Sequence, residues 1–170
     1  MKRVVLALVV LVAVSCQQET IKIGYVDNVD LMDKYQEKMD VEARFKIKAE
    51  AITKKRDSIS QAFQLEAQAF QIKAQKMSQQ KAQEEYGAIQ QRGQFIGQQL
   101  QQEEQALQVS GQVEMDTIVS KVKKEIIAYG KANGYTYVLG GGEGGSVLYG
   151  TDANDLTDEL VKILNDKYKK

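Results

Sequence analysis

Between Asp40 and Asn133 the chain has no proline and almost no turn chemistry, and most of its residues are alanine, glutamine, glutamate and lysine. These are good helix formers, and nothing in the stretch removes a backbone donor or locks a non-helical dihedral. Apolar residues recur at heptad spacing: Phe45, Ile52 and Ile59 share one core position, and Ala49, Phe63, Phe70 and Met77 the other. Arg56, Glu66 and Lys73 fall on the same positions, so the stripe thins toward the middle. Ile89, Ile96, Leu100 and Leu107 resume it, and Met115, Val119, Val122, Ile126 and Tyr129 make it denser. One unbroken helix of this length would reach about 140 Å. Met77-Ser78-Gln79-Gln80 offers a break, with Ser78 able to cap a second helix. The pattern predicts a long antiparallel coiled-coil helical hairpin over residues 40–133, its tip near 77–82 and each arm about 60–70 Å long.

Shorter elements flank this arm. Ile21 to Asp27 alternates apolar with small or polar residues, the period of a half-buried strand. Asn28 or Asp30 can cap a short helix in which Val29, Met32, Tyr35 and Met39 recur at helical spacing. After the arm, Asn133-Gly134 suits a helix stop. Tyr135 to Leu139 and Ser146 to Tyr149 are β-branched and aromatic, and between them Gly140 to Gly145 holds five glycines in six residues. A phosphate cradle needs its glycines between a strand and a helix N-terminus, whereas an apolar strand-like run follows here and Glu143 would repel an anion. The glycines therefore read as the bend of a β-hairpin. Asp155 then caps a closing helix carrying Leu156, Leu160, Val161, Ile163 and Leu164. Residues 21–39 and 134–170 together form a small β-rich body, giving an α+β, mostly α, fold. Three short strands and two modest helices bury too little apolar surface alone, so the body is expected to oligomerise.

The N-terminus reads as an export leader. Met1-Lys2-Arg3 is positive, Val4 to Val14 is an apolar run too short to span a bilayer, and Ala13-Val14-Ser15-Cys16 closes it. This divides the start into a signal peptide over 1–15 and a tether over 16–20. Cys16 is the chain's single cysteine and has no internal disulfide partner, which favours lipid attachment there. A soluble secreted protein in which Cys16 is incidental is the alternative.

Composition also removes chemistry. With no histidine there is no imidazole base, no Ser-His-Asp or Cys-His pair, and no His-containing zinc set. Asp27, Asp30 and Asp33 lie close in sequence but suit a strand end and helix caps better than carboxylate catalysis. The 23 basic residues balance 23 acidic ones, so there is no basic footprint for nucleic acid. No enzyme, cofactor or metal site is expected. What remains is the arm itself. Glutamine makes up about a third of Gln61 to Gln108. Gly87, Gly93, Gly97 and Gly111 each cost a helix up to about 1 kcal/mol relative to alanine. Phe63, Phe70, Phe95, Ile96 and Leu100 are the candidates for partner-contacting or arm-seam positions, packing of arm against arm being the expected fate of most.

Ile23-Gly24-Tyr25-Val26-Asp27 with Leu31 and Tyr35, and Tyr129 to Tyr135 through Val138, Leu148-Tyr149, Asp155-Leu156-Thr157 and Leu160, resemble the Skp/OmpH family of periplasmic chaperones. The resemblance covers essentially the whole chain after the leader, with its specific marks in the two body portions. It implies a homotrimer whose arms enclose a cavity for unfolded outer-membrane proteins, acting without ATP in the periplasm of a Gram-negative bacterium. Cys16 would add a membrane tether. The family's better-known members are soluble and strongly basic, so their electrostatic capture and lipopolysaccharide binding are not carried over to this neutral chain. A coiled-coil lipoprotein spacing a membrane from the cell wall is the alternative. It gives no reason for a β-rich body beyond the arm.

Overall fold

The strand near the N-terminus finds its partner on the far side of the arm. The computed structural model describes residues 21–169. The leader, the tether with Cys16, and Lys170 lie outside the described residues. Strand β1, Ile23–Asp27, pairs in parallel with β2, Tyr137–Gly141, with Ile23 opposite Tyr137 and Asp27 opposite Gly141. Parallel neighbours need a long crossover, and here the whole arm serves as one.

Asp27 ends β1 and starts the next element. Its carboxylate accepts from the backbone N–H of Val29 and of Asp30, each at 3.0 Å, and so caps α1, Asn28–Lys34. The cap is thus Asp27, not Asn28 or Asp30, because an N-cap side chain accepts from the N–H of the second or third residue beyond it, and here those are Val29 and Asp30. Leu31 is the fully buried side chain of α1, while Val29 and Met39 are exposed. Tyr35 is extended and breaks the helix before α2, Gln36–Ala74. Across the break, Asn165 Oδ1 accepts from Gln36 N at 2.8 Å and Asn165 Nδ2 donates to the Lys34 carbonyl at 3.1 Å. One amide therefore satisfies two helix ends.

After α2 the chain turns through residues 75–78, and Ser78 accepts from Lys81 N at the start of α3, Gln79–Ala132. The two helices have 39 and 54 residues, about 58 and 81 Å at 1.5 Å per residue. Most of the difference is the last part of α3, past the Lys121–Glu37 pair, where Glu125 and Tyr129 bond to the closing segment at Lys167 and Glu159. Gly134 takes a left-handed conformation (φ +69°) and releases the chain into β2.

A β-hairpin after β2 is not formed among the described residues. Only an isolated bridge joins Gly141 to Val147, and the sheet has two strands rather than three. The glycine loop instead curls back on β2: Ser146 and Val147 both donate to the Gly140 carbonyl, at 2.8 and 3.1 Å. Leu148 and Tyr149 are 98% and 86% exposed and pack against little among the described residues. The closing helix α4, Thr157–Tyr168, follows. Asp155 is not the N-cap of this helix: Leu156 holds that position with no side-chain cap bond, while Asp155, one residue earlier, accepts from Thr157 N at 2.9 Å in a local turn, and the buried Thr157 hydroxyl accepts from Asp27 N, also at 2.9 Å, tying β1 to α4. Leu156, Leu160 and Leu164 stand at four-residue spacing on one face of this segment and complete a core with Val26, Leu31, Tyr35, Val41, Ile118 and Val122.

Candidate functional site

The arm seam is built from the heptad positions. Phe63 lies across from Gly93, where an added Cβ would sit 3.6 Å from the ring, and Arg92 stands over that ring. Phe70 stacks on Tyr86 near the tip, ring centroids 6.0 Å apart. Ile96 is half-buried and Leu100 buried on α3. Four of the five candidate residues thus fall on the seam side of their helices. Phe95 does not; it points outward and is 66% exposed.

Ion pairs run the length of the seam. Arg44 pairs with Glu114, Lys55 with Glu103, Arg56 with Glu104, Lys73 with Glu85, Arg92 with Glu66 and Lys121 with Glu37, each joining α2 to α3. Exposed pairs of this kind add little stability singly. As a ladder they fix which residues of the two helices face one another, and they engage every arginine among the described residues. Where Gly111 meets Phe45 and Ala49 supplies little bulk, the helices leave an open, mostly apolar cleft of about 560 Å³. Phe45, Ile52, Leu107 and Met115 wall it.

At the root of the arm the polar groups are denser. Tyr35 OH donates to Glu37, Lys121 reaches the same carboxylate, and Lys167 of α4 donates to Glu125 at 2.7 Å. Burial pushes the Glu37 carboxyl up, but Lys121 and Tyr35 outweigh it and hold the group below the ordinary carboxylate range. Burial, and then the bond to Glu37, push the Tyr35 phenol up. Tyr129 donates to Glu159 at 2.6 Å, and that bond, with burial, raises its phenol to about 12. These groups clamp the arm to α4 and present no reactive arrangement. Among the described residues no acidic or thiol cluster is suited to a metal, and no helix is long and apolar enough to cross a membrane.

The body has a second surface of note. One face of the two-stranded sheet, with Gly24, Val26 and Val138, lies on the core. The other carries Ile23, Tyr25, Tyr137 and Leu139, of which Ile23, Tyr137 and Leu139 are exposed, and Leu148 and Tyr149 border it. A sheet face left to solvent ordinarily alternates to polar residues; this one does not. The second group that sequence periodicity did not single out is Ile47, Leu65 and Ile72 on α2 with Val109 and Val113 on α3, all exposed. Their signal was available, since Ile47, Leu65 and Ile72 are spaced by about five and two helical turns and share a face.

A small α+β body bearing one long two-helix arm defines the class of fold to which the described residues belong. The chain matches the OmpH-like outer membrane protein family over residues 22–164 and belongs to it. Its fold is similar to that of a crystallised protein from Caulobacter crescentus CB15 described as a candidate OmpH-like outer membrane chaperone. The TM-score is 0.77 at 16% identity, covering 87% of this chain and 86% of that one. No curated protein sequence matches the chain.

Proposed function

We propose that this chain is an ATP-independent periplasmic holdase that binds unfolded outer-membrane proteins between the arms of a homotrimer and keeps them from aggregating. The observation that carries this reading is the arm. Two long helices pair with each other along the arm, and the body at its root keeps an apolar sheet face open. Among the described residues nothing covers that face, and further copies would. Three arms rising from a shared body would then surround a space in which many weak contacts act on one client at high local concentration. Membership of the OmpH-like family supports the same reading. A lipid on Cys16 would hold the assembly at a membrane surface, and replacing Cys16 by serine would move the protein from the membrane fraction to the soluble one.

The test is to dilute a urea-unfolded outer-membrane porin into buffer with and without the mature protein, following light scattering together with the mass of the assembly. Suppressed scattering by a three-chain particle is the expected result. A single-chain species that leaves scattering unchanged overturns the reading.

A further inference from the structure

Outside the seam, the distal arm carries a second pattern. Leu65 and Ile72 on α2 are each 67% exposed, lie about two turns apart, and sit about 140° around the helix from the seam. Phe95 on α3 is equally turned away from its own seam positions. Glutamines flank these three residues at three- and four-residue spacing, which places them on the same face: Gln61 and Gln68 beside Leu65, Gln68 and Gln75 beside Ile72, Gln91 and Gln98 beside Phe95. All are exposed. Among the described residues, the glutamine side chains that hydrogen-bond within the chain are Gln36, Gln80 and Gln112, none of them in this group.

Charge is scarce on this surface and already committed. Lys73 and Arg92 are held by Glu85 and Glu66 across the seam, which leaves Lys76 and Lys81 at the tip as the unpaired cations among the described residues between 58 and 102. A partner selected by its charge would find little to pair with here. An unfolded polypeptide fits better, because it exposes apolar side chains and unpaired peptide groups together. Each glutamine amide supplies two donors and an acceptor to match a peptide N–H and C=O whatever the sequence.

We propose that this outward face of the distal arm, Leu65, Ile72 and Phe95 with their flanking glutamines, takes extended unfolded chain by apolar contact and amide hydrogen bonding, without electrostatic attraction. The proposal rests on the chaperone reading and names the surface and the selectivity behind it.

It is tested with a fluorescently labelled, urea-unfolded porin, measuring its Kd for the assembled protein at 50 and 500 mM salt. Wild-type affinity should change by less than about twofold, since screening acts on charges and not on these contacts. The triple variant Leu65→Gln, Ile72→Gln, Phe95→Gln changes exposed positions only. It should keep its helicity and oligomer mass yet bind at least about tenfold more weakly, because three apolar contacts per arm are lost at once. Alanine at Gln61, Gln68, Gln91 and Gln98 raises helix propensity and should weaken binding by about threefold. Affinity that falls tenfold with salt, or a triple variant that binds as wild type does, overturns this inference while leaving the chaperone reading intact. A wild type that binds no porin at 50 mM salt overturns both.

Discussion

At Asn165 a single side-chain amide does what usually takes two caps, accepting from Gln36 N and donating to the Lys34 carbonyl. Replacing it by alanine leaves both backbone groups without their partner, and Asn165→Ala should cost about 1–2 kcal/mol of body stability in urea unfolding. Glycines divide sharply by place. A Cβ on Gly24 would meet Leu156 Cδ1 at 2.5 Å and the Tyr135 ring at 2.9 Å, within the packed body. Gly24→Ala should therefore destabilise by about 1–3 kcal/mol. Nothing lies within 4 Å of the corresponding position at Gly97, so Gly97→Ala should stabilise the arm by about 0.5–1 kcal/mol and slow its amide exchange. Equal effects at the two sites would contradict the packing described here. Sequence legibility at this scale follows the range of the interaction. Ser78 is legible as a cap because its partner lies three residues away. Asp155 bonds locally too, but one residue ahead of the N-cap Leu156. Asn165 is not legible because its partners lie in other helices, and the local cap at Asp27 competes in the sequence with the neighbouring Asn28 and Asp30.

At the scale of elements, the two long helices could be read from sequence because helical periodicity and the lack of proline are local facts repeated over many turns. The sheet could not be read so well. Whether Tyr135 to Leu139 pairs with the next apolar run or with β1 depends on what the tertiary fold brings alongside. The structure chooses β1, in parallel register, and leaves the later run with a single isolated bridge, Val147 to Gly141. The seam residues are legible as a set; the common face of Leu65 and Ile72 is legible from their spacing as well, but that this face and Phe95 turn away from the partner helix is not. Where arm meets body, the Glu37 carboxyl is held below its ordinary range by Lys121 and Tyr35 against the opposing effect of burial. The unfolded chain therefore takes up this proton more readily than the folded one. The stabilisation is complete above the ordinary carboxylate pKa of about 4.3 and is lost as pH falls through the lower folded value. Moving from pH 6 to pH 3 should lower the urea midpoint more in wild type than in Glu37→Gln, which has no carboxyl to titrate. Identical losses in the two proteins would mean that the clamp does not contribute to the acid response.

For the molecule as a whole, the decisive feature is a body finished on one side only. Its core is satisfied around Leu31, Ile118 and Leu160, all fully buried, while the opposite face of the same sheet presents Ile23, Tyr137 and Leu139 with Leu148 and Tyr149 beside them. Turning that face toward other copies of the chain would keep it dry, which is the arrangement the proposed trimer needs to bring its arms together. Leu148 and Tyr149 are the sharpest places to test it, because in the single chain they touch almost nothing and can be changed without disturbing the core. The pair Leu148→Asp, Tyr149→Asp removes about 3 kcal/mol of apolar burial per chain from any interface that covers them, about a hundredfold in an association constant, before the cost of burying the new charges. The expected outcome, read by light-scattering mass and far-ultraviolet circular dichroism, is a single-chain species with its helicity retained and its suppression of porin aggregation lost. A variant that stays at the three-chain mass would show that the copies meet elsewhere. One that falls to a single chain yet still protects porin would show that an isolated arm is enough, and the enclosed space between arms would then not be the basis of the activity.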